Sequence, residues 1–454
     1  MADTIAAIST PIGEGGIGIV RVSGSRAQEI MRRILKPCPE TIRPRHAYYG
    51  TACDANGTMI DEVLCLYMKA PHSYTCEDVV EFQAHGGTLS LQRILRAVLK
   101  AGARLAEPGE FTRLAFMNGR IDLTQAEAVI DIIRAKSEIP LALAEEQLAG
   151  RLGREVTRIR RDLLDLLSQM AVNIDFPDED IEQVAYEEFR ISVSRCLERV
   201  ETLLETAEEG RIARDGLRAA IVGKPNVGKS SLMNGLLRQQ RAIVTEIPGT
   251  TRDTIEETAN ICGIPVVLTD TAGIRETQDR IEQIGIERSR EELARADLVI
   301  FVLDGSEQLT EEDLEIAAGL SGKKVLAVLN KKDLGSEVTA AQIRAQIPGS
   351  VIVRTSLLEP EGAEEVSEAV RDLFFAGLTT TMDRAIVSNE RHREALERAA
   401  QSLVSARDLL GSGEPLEISE LEAHAAYDAL GEILGETAGE EILDNVFSKF
   451  CLGK

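Results

Sequence analysis

The chain has no uninterrupted apolar run of about 18 residues, the length a membrane-spanning helix needs. Nor does it open on the charged-then-apolar pattern of a secretory leader. Its seven cysteines, at 38, 53, 65, 76, 196, 262 and 451, include no C-x-x-C pair. An odd number without such pairs excludes a zinc ribbon and a disulfide framework, and fits reduced thiols in a cytoplasmic protein. Five histidines without a matching cluster argue against an imidazole-built metal centre, so His85 is expected in a structural or substrate-side role. Positive charge is scarce: 51 Lys and Arg face 75 Asp and Glu, a net charge of −24. The deficit is uneven, because residues 1–120 carry +2 and residues 121–454 carry −26. A field of that sign repels a phosphate backbone at long range, so any RNA contact must be local or helped by a partner. The 454 residues are 44% apolar, which fills real cores and excludes a disordered or fibrous chain.

Three textures follow one another. Residues 1–120 alternate short β-rich runs (4–9, 18–22, 46–52, 63–68 and 79–83) with turns and one helical stretch at 89–100, which predicts a small α+β domain. Beyond Leu123 the apolar residues Leu148, Leu152, Val156, Ile159, Leu163, Leu166 and Met170 recur at helical steps, as one buried helix face requires. That pattern stops at Asp175-Phe-Pro-Asp-Glu-Asp180, where proline cannot continue the helix. The acids there lack calcium-loop spacing and read as a surface turn. Helical period resumes to about Gly210. From Leu217 to about Phe375, buried-type strands at 218–222, 265–269, 298–303, 324–329 and 351–353 alternate with helical segments, predicting a parallel sheet covered on both faces. Residues 385–410, 418–434 and 439–450 are helical again, so both flanks of this α/β insert pack as one discontinuous helical domain. The expected boundaries are 1–120, then 121–216 with 379–454, and the insert at 217–378.

Gly223-Lys-Pro-Asn-Val-Gly-Lys229-Ser230 follows a strand and opens a helix, which is G-x-x-x-x-G-K-[ST] in the setting its chemistry needs. Main-chain N–H groups of such a loop cradle phosphates, Lys229 reaches the terminal phosphates and Ser230 holds magnesium. Asp270-Thr-Ala-Gly273 ends the next strand and can supply a magnesium-linked carboxylate and a γ-phosphate amide. Asn330-Lys-Lys-Asp333 ends another, with Asp333 placed to accept two hydrogen bonds from a guanine edge. The ordered set reads as guanine specificity. Between the phosphate motifs, Thr250 or Thr251 is the expected switch threonine, with Thr251 assigned to magnesium. Thr355-Ser356 is a loose base-contact motif. The nucleotide contacts are then Asn226, Val227, Gly228, Lys229, Ser230, Ser231, Thr250, Thr251, Asp270, Thr271, Ala272, Gly273, Asn330, Lys331, Asp333, Thr355 and Ser356.

The insert resembles the Era-like GTPases, yet Ile274 stands where the closest relatives of Ras carry a water-orienting Gln. A hydrocarbon side chain cannot hold water, so another group must. The resemblance then widens to the whole chain. Gly16-Ile-Gly-Ile-Val-Arg21-Val-Ser-Gly24, Asp78-Val-Val-Glu81-Phe-Gln-Ala-His85-Gly-Gly87, Pro108-Gly-Glu-Phe-Thr112, Asn118-Gly-Arg-Ile-Asp-Leu-Thr-Gln-Ala-Glu127, Ile174-Asp-Phe-Pro-Asp-Glu179 and Cys451-Leu-Gly-Lys454 together are similar to the MnmE (TrmE) family of tRNA modification GTPases.

That resemblance implies an α+β folate-binding and dimerising domain, a discontinuous all-α domain and an inserted α/β P-loop GTPase domain. It implies a homodimer that joins the flavoprotein MnmG (GidA) in a heterotetramer. The complex builds an aminomethyl or carboxymethylaminomethyl group on carbon 5 of the wobble uridine of certain tRNAs, from a tetrahydrofolate one-carbon unit in the 5-formyl or methylene form. Carried over residue by residue, the folate contacts are Arg21, Glu81, Arg120 and Lys454, with Arg120 where the family usually has Lys. Asn226, Thr245, Ile247 and Thr250 fall to a potassium ion, Thr245 also to the nucleotide, Glu282 to water orientation, and Cys451 to a catalytic thiol. Two rival readings remain: a ribosome-assembly or other Era-like regulatory GTPase, expected to carry a basic RNA-binding appendage, and a dynamin-like remodeller, expected to present a basic or apolar membrane-facing helix. Outside the insert the sequence shows no Lys/Arg run.

Overall fold

The computed structural model describes residues 3–175, 183–238, 256–261, 263–270, 293–359, 361–374 and 384–454. They divide into two compact units, Met1–Ile130 with Glu146–Cys196 and Gln401–Lys454, and Asp131–Glu145 with Leu197–Ala400.

The first unit contains a seven-stranded sheet built from β1 (Ile5–Ile8), β2 (Gly18–Ser23), β3 (Leu35–Lys36), β4 (Ala47–Cys53), β5 (Met59–Met68), β6 (Val79–Ala84) and β7 (Arg104–Leu105), in the order β3-β4-β5-β6-β2-β1-β7. Strand β1 pairs antiparallel with β2 and parallel with β7. The period-2 alternation decides what each face carries. Val20, Val22, Val80 and Phe82 join Ile30, Met31, Leu91 and Ile94 of helices Ala27–Ile34 and Thr88–Lys100 in one core. Arg21 and Glu81, between those residues in sequence, are opposite each other in the β2–β6 register. Ile5 and Ala7 of β1 form a smaller cluster with Ala106 and Phe111, on which Tyr74 and Leu114 pack.

The helical part of this unit centres on helix Arg151–Asp175 packed on helix Leu416–Leu434. The apolar positions expected from helical period, Leu152, Val156, Ile159, Leu163, Leu166 and Met170, are all buried, each contributing about 1.5–3 kcal/mol on full burial. Leu148 belongs to a separate helix, Glu138–Leu148, and Gly150 takes the left-handed turn between the two. The helix ends at Asp175, and the Pro177 turn lies outside the described residues.

The second unit contains a six-stranded sheet of β8 (Leu217–Val222), β9 (Glu256–Ile261), β10 (Ile264–Asp270), β11 (Leu298–Asp304), β12 (Val325–Asn330) and β13 (Val351–Arg354), ordered β13-β12-β11-β8-β10-β9. The five strands expected from sequence are parallel, and the sheet packs on one face against Leu232, Leu236, Val366 and Val370 and on the other against Ala317, Leu320, Ile343 and Ile347, with the edge strand β13 only half-buried. The sheet departs from the all-parallel expectation at β9, which pairs antiparallel with β10 at the edge. Its sequence, Glu-Glu-Thr-Ala-Asn-Ile, is too polar to read as a buried strand, and charge of that kind suits an edge. A second departure is the helix expected from Ala385, which begins at Glu390. The residues before it are held in non-helical form, with the Val387 N–H donating to Thr206 Oγ1 at 3.1 Å.

Candidate functional site

The loop 223–228 runs from the end of β8 into helix Lys229–Arg238. Three residues in it take positive φ, Gly223 at 147°, Asn226 at 64° and Gly228 at 112°. At Gly228 a Cβ would lie 2.3 Å from Asn330 Nδ2, so glycine is required by space as well as by φ. Lys229 is buried, and its Nζ donates to the carbonyls of Gly223 and Lys224, both at 2.6 Å. Val227 is buried, while Asn226, Ser230 and Ser231 are exposed around the first turn of the helix. The main-chain N–H groups of that turn have no intrahelical partner and carry the positive end of the helix dipole. An anion is the natural occupant.

Asn330 joins three motifs that are distant in sequence. Its Nδ2 donates to the Val227 carbonyl at 2.7 Å and its Oδ1 accepts the Leu357 N–H at 3.0 Å. The phosphate loop, the Asn330-Lys-Lys-Asp333 turn and the Thr355-Ser356 segment are thereby one assembly. Lys331, at φ 65°, pairs with Asp304 Oδ2 at 2.5 Å. Burial pushes the Asp304 carboxyl up, but the Lys331 ammonium and the Ser306 hydroxyl and amide outweigh it and hold Asp304 below its ordinary value. Asp333 is exposed in the turn Lys332–Leu334. Thr355 and Ser356 are buried, with Thr355 Oγ1 donating to the Gly362 carbonyl at 3.0 Å. One residue that the motif pattern did not single out belongs here. Lys224 Nζ pairs with buried Asp313 at 2.7 Å and donates to Thr310 Oγ1 at 2.9 Å, which fastens the loop to the capping box of helix Glu311–Gly319. Asp270 ends β10. Thr245, Ile247, Thr250, Thr251, Thr271, Ala272, Gly273, Ile274 and Glu282 lie outside the described residues.

In the first unit the structure brings Arg21, Glu81 and the 451–454 tail together. Arg21 Nε donates to Glu81 Oε1 at 2.9 Å and its Nη1 reaches the Gly453 carbonyl at 3.5 Å. The tail is seated by main chain: the Phe111 N–H donates to Lys454 O at 3.2 Å, and at Gly453, φ 91°, a Cβ would lie 2.3 Å from the Ile8 carbonyl. Burial lowers the Lys454 ammonium pKa, and the Arg21 charge adds to it, against opposing pulls from Cys451 and Glu81. Cys451 is exposed. Two aromatic residues outside the sequence assignment complete the cluster. The Arg21 guanidinium lies 5.7 Å from the Tyr74 ring and 5.6 Å from the Phe111 ring, within cation–π range. Arg120 is 4.8 Å from the Tyr74 ring and donates to the Tyr74 carbonyl at 2.7 Å. Arg120 also lines an open pocket of about 760 Å³ with Arg45, His72, Tyr74 and Cys76. His85 is exposed and bonded through Nδ1 to Asp61 at 2.7 Å. Among the described residues no cluster of His, Cys, Asp or Glu is set to hold a metal ion, and no helix is long and apolar enough to cross a membrane.

The family model described as the MnmE helical domain matches residues 123–451, and the one described as the GTP-binding protein TrmE N-terminus matches residues 4–120. The chain belongs to the MnmE (TrmE) family of tRNA modification GTPases. It is 48% identical to the tRNA modification GTPase MnmE of Alkaliphilus metalliredigens, with all of this chain and 99% of that relative covered. The Lactobacillus delbrueckii subsp. bulgaricus relative of the same name is 47% identical, with coverages of 100% and 98%. The solved structure of Aquifex aeolicus Era bound to GDP.AlF4⁻ is 28% identical over 41% of this chain and 66% of that one, with a TM-score of 0.26. As an MnmE-family GTPase the chain holds a nucleotide for magnesium-dependent hydrolysis.

Proposed function

We propose that this chain hydrolyses GTP in the service of tRNA wobble-uridine modification, with residues 217–378 as the nucleotide domain, 1–120 as the folate-binding domain, and 121–216 with 379–454 as the helical one. The observation that carries the reading is the double hydrogen bond of Asn330, which fuses the phosphate loop and the base-contact turn into one guanine-nucleotide seat. In it Lys229 faces the terminal phosphates, Ser230 and Thr251 hold magnesium, and Asp333 pairs with the guanine edge. The two donors among the described residues suit ions there, since Ser230 Oγ is exposed at the helix turn and left-handed Asn226 is exposed in the loop. Asn226, Thr245, Ile247 and Thr250 are assigned to potassium, whose charge would replace that of an arginine finger. Glu282 is assigned to the attacking water.

The Arg21 cluster is assigned to the tetrahydrofolate derivative. Its chemistry fits: cations at Arg21, Arg120 and Lys454 suit glutamate carboxylates, Glu81 suits pterin donors, and the half-buried Tyr74 offers a ring face. Bound there, the folate would supply the one-carbon unit, and Arg21, Glu81, Arg120 and Lys454 would hold and orient it, with Cys451 as the thiol assigned to the chemistry. The partners in this reading are a second copy, the flavoprotein MnmG and tRNA, all in the cytoplasm. The test is mass spectrometry of tRNA nucleosides from a deletion strain complemented with the chain. Restored wobble modification by the wild type, lost in Cys451→Ser while GTP turnover persists, supports it; unmodified tRNA with wild-type chain overturns it. Equal turnover in potassium and sodium would remove the potassium assignment alone.

A further inference from the structure

In the first unit an open pocket of about 400 Å³ lies where the turn at Gly150 leads into helix Arg151–Asp175, and its lining includes Arg154, Arg158 and Arg161. Spacings of four and three residues put these three guanidinium groups on one helix face, at steps of about 6 and 4.5 Å along the axis. Residues 151–161 hold five arginines and a single acid, Glu155, inside a region whose net charge is −26. A scan for consecutive basic residues misses such a cluster, because helical spacing, and not adjacency, assembles it.

The arginines of this helix divide by task. Arg160 points inward: it is buried, stacks 4.1 Å from the Tyr427 ring centroid, donates to the Tyr427 carbonyl at 3.2 Å and pairs with Glu436. Arg154, Arg158 and Arg161 are exposed. Arg154 gives one N–H to the Ala149 carbonyl at 2.7 Å, Arg158 pairs with Glu155 at 2.5 Å, and Arg161 has no carboxylate partner among the described residues. Each guanidinium has five N–H donors, so most of those facing the pocket are available to an acceptor from outside. Asp122 also lines it, but its Oδ1 is taken by the Thr124 hydroxyl at 2.6 Å and the Gln125 N–H at 2.9 Å.

We infer that this pocket seats backbone phosphates of the RNA substrate, an inference that rests on the tRNA reading above. Guanidinium forks match phosphate oxygens bidentately. Their confinement to one helix face supplies the local contact that the chain's overall charge demands of any RNA-binding member. The pocket belongs to neither the nucleotide seat nor the Arg21 cluster.

The test compares wild-type full-length protein with an Arg154→Ala, Arg158→Ala, Arg161→Ala triple variant and with the corresponding triple Lys variant, after matching their melting curves. Binding of a tRNA transcript is followed by fluorescence anisotropy between about 50 and 200 mM salt. The alanine triple should bind roughly tenfold or more weakly at the low-salt end, with the slope of log affinity against log salt reduced by about two to three. The lysine triple should keep the slope, and GTP turnover without tRNA should be unchanged in all three. Wild-type affinity and slope in the alanine triple would overturn the inference, as would absence of tRNA binding by the wild type. Displacement of tRNA by polyglutamate as effective as by an unlabelled RNA of equal charge would overturn it in favour of an acidic protein partner. Nucleoside analysis in the complemented deletion strain separates the two levels. If the wild type restores modification while the alanine triple binds and modifies normally, only this site falls; if the wild type restores nothing, the tRNA reading falls with it.

Discussion

Lys229 is fixed by two carbonyls five and six positions away in its own loop, whereas Arg21 is fixed by a carboxylate 60 positions along the chain and by a carbonyl 432 positions away. The 223–228 loop is made chiefly of main chain, held by residues of positive φ at the end of a buried strand, so its own geometry comes with the local fold and the Asn330 side chain ties it to distant segments. The Arg21 cluster is made of side chains on separate elements and closed by a tail lying against β1, so it exists only once distant segments have met. The difference teaches where each site is vulnerable: the first to backbone strain, the second to anything that lifts the tail.

Gly228→Ala should have the largest effect. A methyl group at φ 112°, 2.3 Å from Asn330 Nδ2, strains the loop and displaces the Asn330 side chain, and a cost of about 3 kcal/mol weakens GTP binding roughly a hundredfold by calorimetry. Binding within a few-fold of wild type would show that the seat is not main-chain built. Asp333→Asn should come next, losing GTP by roughly ten- to a hundredfold while gaining xanthosine triphosphate, whose extra oxygen accepts from the amide. Retained GTP affinity in an equilibrium assay removes Asp333 from the base. Gly453→Ala should weaken reduced-folate binding by about tenfold through tail displacement, with GTP affinity untouched. Parallel loss at both sites would mean that they are not separately built.

Two smaller effects sharpen the contrast. In a double-mutant cycle on unfolding, Lys224→Met and Asp313→Asn should show a coupling of about 1 kcal/mol or more, since Asp313 is buried and Lys224 largely shielded; additive losses would demote the contact. Lys454 offers the pH test. Its folded pKa lies below the ordinary lysine value, so the seated tail disfavours the extra proton, and docking tightens as pH rises from the lowered pKa towards the unfolded one. The ε-carbon NMR titration of Lys454 should fall at lower pH than that of exposed lysines and move up in Arg21→Ala. A midpoint in the ordinary range would place the tail in water.

This contrast also explains what could be read in advance. The phosphate loop, the Asn330 turn and five strands of the second sheet were legible because their residues are contiguous and their patterning is local. The buried face from Leu152 to Met170 was legible for the same reason. Edge strand β9 was not, since a strand with one neighbour tolerates a sequence that reads as a loop. The helix start at Glu390 was missed because the preceding segment is fixed by Thr206, far away in sequence. Arg21, Glu81 and Lys454 were reached through resemblance, and Tyr74 and Phe111 not at all. No spacing rule relates an aromatic ring to an arginine more than 50 positions away in sequence.

The hydrogen bonds of Asn330 have a consequence for how such a chain can change. Its partners, the Val227 carbonyl and the Leu357 amide, are main-chain groups that any residue at 227, and any but proline at 357, would present. Positions 227 and 357 can therefore drift without breaking the link, while position 330 needs a donor and an acceptor on one short planar group. Asp lacks the donor, and Gln carries both atoms one carbon too far. A single codon thus bears the cost of keeping three motifs in register, and the loops it joins are left free to diverge.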